Sequence, residues 1–494
     1  MNFNTFLFYP FLAAVVIVNF LLPRRFRWAW LLIASFVFYG LLDARFLAVL
    51  LACTAIAYTG GRVIDRSAEE KRKKAWTAGA VGLLVGILFL FKYLGFFFDI
   101  LNSAASAAGL RFHLRGIAWF YPAGISFYAL QAVSYLLDVF NGRVRAEKNP
   151  GVFALYLSFF PQLLIGPIER FEPFGIQIRE PAPFEYQRFV NGLLRIGWGL
   201  FKKVVIADRL AVIADTVFAE PSAHSGYKML LGVLAFAVQI YYDFSAYTDI
   251  AIGAASMVGI RLSENFKHPY RAESVADFWR RWHMTFSGWL RDYIFLPMTM
   301  RFRRKKPREL WTALVIMVTF LVSGLWHGAD WTFIVWGALH GFYQAAGTLT
   351  GNTRKRIADK LKVDRTAYGS RLARMAWTFL LVTVAWVFFK AKSLPDAFYI
   401  LRSIATLKDA VEQSAWIITD GSLGLDKLDL IMAAVMLFAA VVVNAYKRKH
   451  DLAAAFARQP AWFRWAAYAA LFFAITVFGY YGEVSAADFV YFQF

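Results

Sequence analysis

Residues 323–333 read SGLWHGADWTF, an imidazole set in sequence apolar enough for the inside of a bilayer. His327 has Gly324 and Gly328 on either side, with Trp326 and Trp331 close by. Ionisable groups at membrane depth are costly and mostly line sites or pathways. Burial disfavours the imidazolium, so a neutral His327 is suited to accepting a proton from a hydroxyl. The small glycines let a second segment approach it closely. The plainer reading is a packed histidine with one hydrogen bond inside a helical bundle. His283, in DFWRRWHMTFSGWLRDYIFLP (277–297), is the candidate partner; its plainer reading is an interfacial histidine reaching to headgroups. His340 follows thirteen residues after His327, about 220° round a continuous helix, and is expected to be structural.

A second polar group lies in QIYYDFSAYTDIAIG (239–253), where Asp243, Ser245 and Asp249 interrupt an apolar run. Two carboxylates there suggest a polar cavity satisfied by Arg, Lys or hydroxyls, or else a polar clamp between helices. The chain has no HExxH, GxSxG or P-loop pattern and no Cys–His metal set. No metal site and no bound cofactor are therefore expected.

These residues need helices in a membrane to position them. Of 494 residues, 59% are hydrophobic and 18% charged, against about 25% charged in soluble domains. Mean hydropathy is +0.48 over the whole length. The fold class expected is an all-α polytopic membrane protein, because only helices and closed barrels satisfy their backbones in lipid and barrel-type alternation is absent. The apolar segments allow roughly 11–13 crossings. The first cation, Arg24, follows the first apolar run, so that run is expected to be a retained helix. The single cysteine, Cys53, excludes an internal disulfide. A net charge of +21 fits loop cations facing the cytoplasm and anionic lipid, with no nucleic-acid module recognisable.

The positive-inside rule orients the set with both termini outside. The inside loops are then 24–27, 62–74, 141–148, 261–310, 353–365 and 446–450. The loop 391–428 lies outside despite its cations. The stretch 154–170 is apolar but carries two prolines and a glycine, and is expected to re-enter from the cytoplasm. In 277–297, helical spacing aligns Phe278, Trp282, Trp289 and Tyr293, with Arg280, Arg281 and Arg291 off that stripe. The expectation there is one amphipathic helix at the cytoplasmic interface. The chain is taken as one integral domain, 1–494.

Six stretches together carry a family resemblance. They are GISFYALQAVSYLLDVFNG (124–142), FFPQLLIGPIER (159–170), YYDFSAYTDIAIG (241–253), the segment 265–297, SGLWHGADWTFIVWGALHG (323–341) and FVYFQF (489–494). The chain resembles the membrane-bound O-acyltransferases, in the bacterial polysaccharide branch that includes the alginate O-acetyltransferase membrane subunit. The resemblance implies a ring of helices around a central tunnel, with core motifs over about 120–345. It places the motif histidine on His327 and the second, less uniform position on His283. Trp326, Asp330, Trp282, Asp243, Ser245 and Asp249 become candidates for the tunnel or substrate site.

The implied reaction passes an acetyl group from a cytoplasmic thioester, most simply acetyl-CoA, across the inner membrane to an exported polysaccharide. His327 is expected as general base and His283 as the group orienting the thioester carbonyl; a transient acyl-His327 is a variant. Arg280, Arg281, Arg291 and RFRRKK (301–306) could attract the donor's phosphates. Periplasmic acetyltransferase accessory proteins are the implied partners. Alginate is the expected acceptor; cellulose, peptidoglycan and other envelope polymers are the alternatives. A non-catalytic transporter or a secretion scaffold would fit the same polar residues, although no inverted repeat supports a transporter.

Overall fold

A computed structural model describes residues 3, 5–110, 113–114, 120–224, 226–302, 304–406, 423–447 and 452–481. The terminal FVYFQF stretch, Arg303 and residues 407–422 of the 391–428 loop lie outside the described residues. The described residues are overwhelmingly helical. Among the described residues, seven helices are long and apolar enough to cross a membrane: Ala44–Arg66, Glu70–Ala107, Gly226–Met257, Arg308–His327, Tyr368–Lys390, Lys427–Lys447 and Ala461–Phe478. The protein is a multi-pass membrane protein. Other apolar segments form shorter helices. Phe8–Leu21 and Arg27–Gly40 have 14 residues each, which rise only about 21 Å against a hydrocarbon core of about 30 Å.

The chain divides into two compact units, Met1–Leu193 with Ala251–Ser263, and Leu194–Ile250 with Glu264–Phe494. In the first, Arg27–Gly40 and Ala44–Arg66 form a hairpin beside Ile125–Phe140. The stretch 154–170 is broken into Pro150–Ser158 and Phe160–Leu163, and residues 152–169 are all buried. That is where irregular backbone at membrane depth is tolerated, and side chains satisfy it. Phe160 N donates to Ser35 Oγ at 3.1 Å, and Gln162 Nε2 to Tyr156 O at 2.8 Å. Gly124 has φ +78° and sits so close to the Leu163 carbonyl that a Cβ would collide with it.

The second unit holds all the candidate chemistry. A helix interrupted by a π turn at Phe201–Ala207 packs on Gly226–Met257. Arg308–His327 and Trp331–Leu349 form an antiparallel hairpin. The segment 277–297 departs from the single interfacial helix expected. It is Val275–Trp279, a left-handed residue at His283, then Met284–Leu290 continuing into a π turn at Arg291–Phe295. Phe278, Trp282 and Phe286 are at most 1% exposed. The aromatic stripe is packed in protein interior as far as Trp289, with Tyr293 only half-buried, and the break at His283 lets the rings on either side of it turn inward.

Candidate active site

The hairpin holding His327 is set by glycines. Gly324 and Gly337 face each other across the two helices, each 3.2 Å from the other's Cα at the point where a Cβ would stand. Either Cβ would also run into a carbonyl oxygen, of Phe333 or of Phe320. Close backbone approach of this kind is how small residues drive helix pairing in lipid. The turn is finished by Asp330, whose Oδ1 accepts from Thr332 N at 2.8 Å and caps Trp331–Leu349. Asp330, a substrate-site candidate by sequence, is therefore engaged in holding the hairpin. Replacing Gly324 with Leu should separate the helices. The expected result is a lowered unfolding temperature in detergent, because the close backbone approach that pairs the helices is lost.

His327 ends the first helix of the hairpin and is 5% exposed. Its ring centroid lies 4.8 Å from Trp336, 4.9 Å from Trp326, 5.3 Å from Phe389 and 5.6 Å from Phe286.

His283 is presented by the break in 277–297. Its φ is +42°, a conformation uncommon outside glycine, although His is among the residues that tolerate it. The preceding helix Val275–Trp279 is capped by Ser274, whose Oγ accepts from Asp277 N at 3.1 Å. Asn265 holds the far side. Its carbonyl accepts from Met284 N at 2.9 Å, and its Oδ1 accepts from Thr285 N at 3.2 Å and Thr285 Oγ at 2.9 Å. His283 Nδ1 lies 3.1 Å from the same Oδ1. His283 is fully buried, with Phe244 at 4.8 Å, Phe286 at 5.0 Å and Trp326 at 6.1 Å between ring centroids.

Both histidines thus rest on one aromatic pair, Phe286 and Trp326, whose rings stack at 4.2 Å. Their ring centres can be no farther apart than the sum of their distances to Phe286. Burial pushes the His283 imidazole's pKa down to about 3, so the ring is neutral near pH 7. Below the ordinary histidine value near 6.5 the unfolded chain takes up a proton that the folded chain refuses, so stability falls as pH falls. For His283 alone the expected loss is about 1.4 kcal/mol per pH unit below that value. Unfolding temperatures of wild type and His283→Gln in detergent between pH 7 and 5 would check this. The wild type should lose the more on acidification.

His340 is also fully buried but belongs to a different arrangement. Trp279 Nε1 donates to its Nδ1 at 3.2 Å, and Trp336 lies between it and His327, 4.8 Å from each. Trp282 stacks 5.4 Å from Phe278 and packs on Phe266 and Trp386, each at 5.1 Å. It shapes the wall behind His283.

The carboxylates of 239–253 are taken up by cations. Asp249 pairs with Lys202 at 2.7 Å and Arg195 at 2.8 Å, and Arg195 also bridges to Glu264 at 2.6 Å. Lys203 lies between Asp243 at 2.8 Å and Asp208 at 2.9 Å, and Lys202 donates to Ser245 Oγ at 2.8 Å. These contacts make a polar clamp between two helices. Phe244, between Asp243 and Ser245, is the residue that reaches His283. Arg280 and Arg291 have side chains 74% and 65% exposed and pair with Asp277 at 3.5 Å and Asp292 at 2.9 Å, while the less exposed Arg281 is held by Asp277 at 3.0 Å. The sequence reading had singled out none of Asn265, Lys202, Lys203 and Asp208. The lysines carried a signal, two adjacent cations inside the apolar run LFKKVVIADRL. Asn265 carried none.

Residues 149–386 match the family model of MBOAT, the membrane-bound O-acyltransferase family. The chain is 36% identical to a probable alginate O-acetylase of Azotobacter vinelandii over 90% of this chain and 84% of that protein. It is 38% identical to a probable alginate O-acetylase of Pseudomonas putida over 79% of this chain and 77% of that protein. It is 32% identical to a peptidoglycan O-acetyltransferase of Helicobacter pylori over 76% of this chain and 73% of that protein.

Proposed function

From the premise that this chain belongs to the membrane-bound O-acyltransferase family, we propose that it passes acetyl groups across the bacterial inner membrane for O-acetylation of an exported polysaccharide, most specifically alginate. The chain is an O-acyltransferase; donor, direction and acceptor are the proposed parts. The donor is a cytoplasmic thioester, acetyl-CoA in the simplest case. Alginate as acceptor rests on the printed names of the Azotobacter vinelandii and Pseudomonas putida relatives; peptidoglycan is the alternative the Helicobacter pylori relative keeps open. Both termini lie on the periplasmic side, where accessory acetyltransferases complete delivery to the sugar.

The observation that carries this reading is the placing of His327 and His283 on the same buried Phe286–Trp326 pair. The acceptor oxygen attacks the thioester carbonyl, so a C–O bond forms as the C–S bond breaks. The hydroxyl proton passes to a neutral imidazole and from there to the departing thiolate. Dry aromatic walls keep water from hydrolysing the thioester. The exposed Arg280 and Arg291 and the basic loop beyond them draw the donor's phosphates toward the protein.

The test is the acetyl content of the exported polysaccharide, by proton NMR, in a deletion strain. Wild type should restore acetylation, and His327→Ala should not, at membrane levels matched by immunoblot. Full acetylation in the His327→Ala strain would return the protein to the transporter or scaffold reading.

A further inference from the structure

Resting on that reading, we propose that Asn265 is a positioning residue that fixes His283 as its Nδ1–H tautomer, leaving the Nε2 lone pair to receive the acceptor's proton.

The geometry allows one orientation of the Asn265 amide. The backbone N–H of Thr285 can only donate, and it points at the atom 3.2 Å away. That atom must be the amide oxygen. The Thr285 hydroxyl donates to the same oxygen at 2.9 Å. His283 Nδ1 then faces an acceptor at 3.1 Å, and a bond forms only if Nδ1 carries the hydrogen. A neutral imidazole with Nδ1–H has its lone pair on Nε2. Such a ring cannot polarise a carbonyl, which needs an N–H. It can take a proton. The role expected of His283 by resemblance, orienting the thioester carbonyl, is thereby exchanged for that of proton acceptor. His327 is left to act on the acyl group.

The same residue fixes the ring in space. Asn265 O accepts from Met284 N, and Lys267 N donates to Arg281 O, both at 2.9 Å. The chain at 265–267 therefore runs alongside 281–285 and brackets the left-handed His283 on both sides. Non-glycine residues in that conformation persist where surroundings over-determine them, and they cluster at functional sites. After the proton arrives, Asn265 Oδ1 still accepts from Nδ1–H while Nε2–H donates to the departing sulfur. The proton leaves with the thiol, and the imidazole returns to its starting tautomer.

The experiment uses inverted membrane vesicles of a polymer-producing strain with radiolabelled acetyl-CoA as donor, reading label in polymer against pH. Wild type against His327→Ala first establishes that transfer from this donor occurs and depends on the site; without that difference, the functional reading fails and not this one. Given the difference, Asn265→Ala should lower kcat about 10–100-fold with KM for the donor little changed, as loss of a partner that orients a working imidazole does. In a His283→Ala background the same substitution should cost nothing more, because the two act as a unit. Asn265→Asp retains the acceptor and should keep most of the activity, with an acid limb at higher pH than the wild type's, since a carboxylate favours the imidazolium. Equal losses from Asn265→Ala with and without His283 would overturn the proposal. Should Asn265→Ala fail to accumulate, Asn265→Asp decides: retention with the shifted limb supports the proposal, and loss to the His283→Ala level in a normally abundant protein sinks it.

Discussion

His327→Ala is expected to leave a normally abundant, folded protein whose acetyl transfer falls by about 10²–10³-fold, the span typical for loss of one group that stabilises the transition state at the acyl carbon. The reason to expect folding to survive lies in the hairpin. Its register is set by the Gly324–Gly337 contact and the Asp330 cap, and neither uses the imidazole. The ring does pack against Trp336, Trp326 and Phe389, so truncation opens a cavity costing about 2–4 kcal/mol. His327→Gln or His327→Phe, which fill the space, should recover stability without recovering transfer. Thermal unfolding in detergent beside the vesicle assay separates the two effects. A His327→Phe protein with near wild-type transfer would remove His327 from the chemistry.

Lys203→Ala is expected to have the largest effect on stability. The substitution leaves Asp243 and Asp208 facing each other in a site where both side chains are at most 7% exposed. Removing one partner of a buried charge set typically costs about 3–5 kcal/mol, because the remaining charge stays desolvated. Replacing all three residues by neutral ones of similar size, Lys203→Met with Asp208→Asn and Asp243→Asn, should cost less than Lys203→Ala alone. That ordering, measured as unfolding temperatures in detergent, would identify the cluster as a clamp between helices. If the triple variant were stable yet inactive, Asp243 would belong to the substrate path instead.

The sequence by itself determined the fold class, because mean hydropathy of +0.48 over 494 residues leaves few soluble solutions and lipid admits only structures that satisfy their own backbone. It marked His327 as a candidate, since an imidazole flanked by glycines at membrane depth is costly unless used, and His283 as its partner beside the aromatic stripe of 277–297. It also marked 154–170 as irregular from its prolines, and the structure buries that stretch as far as Glu169. Periodicity misled at 277–297. A pattern of aromatics at helical spacing is the same whether the rings face lipid or protein, and a single left-handed residue at His283 leaves no mark in it. Composition likewise could not say which charges meet. Asp243 and Asp249 find Lys203 and Lys202 some forty residues away only because two helices pack side by side. Asn265 shows the limit most clearly. An asparagine in NFKHPY looks like any loop residue. Only when the chain at 265–267 runs against 281–285 does its amide oxygen meet the histidine, and that single contact decides which nitrogen of His283 holds the proton.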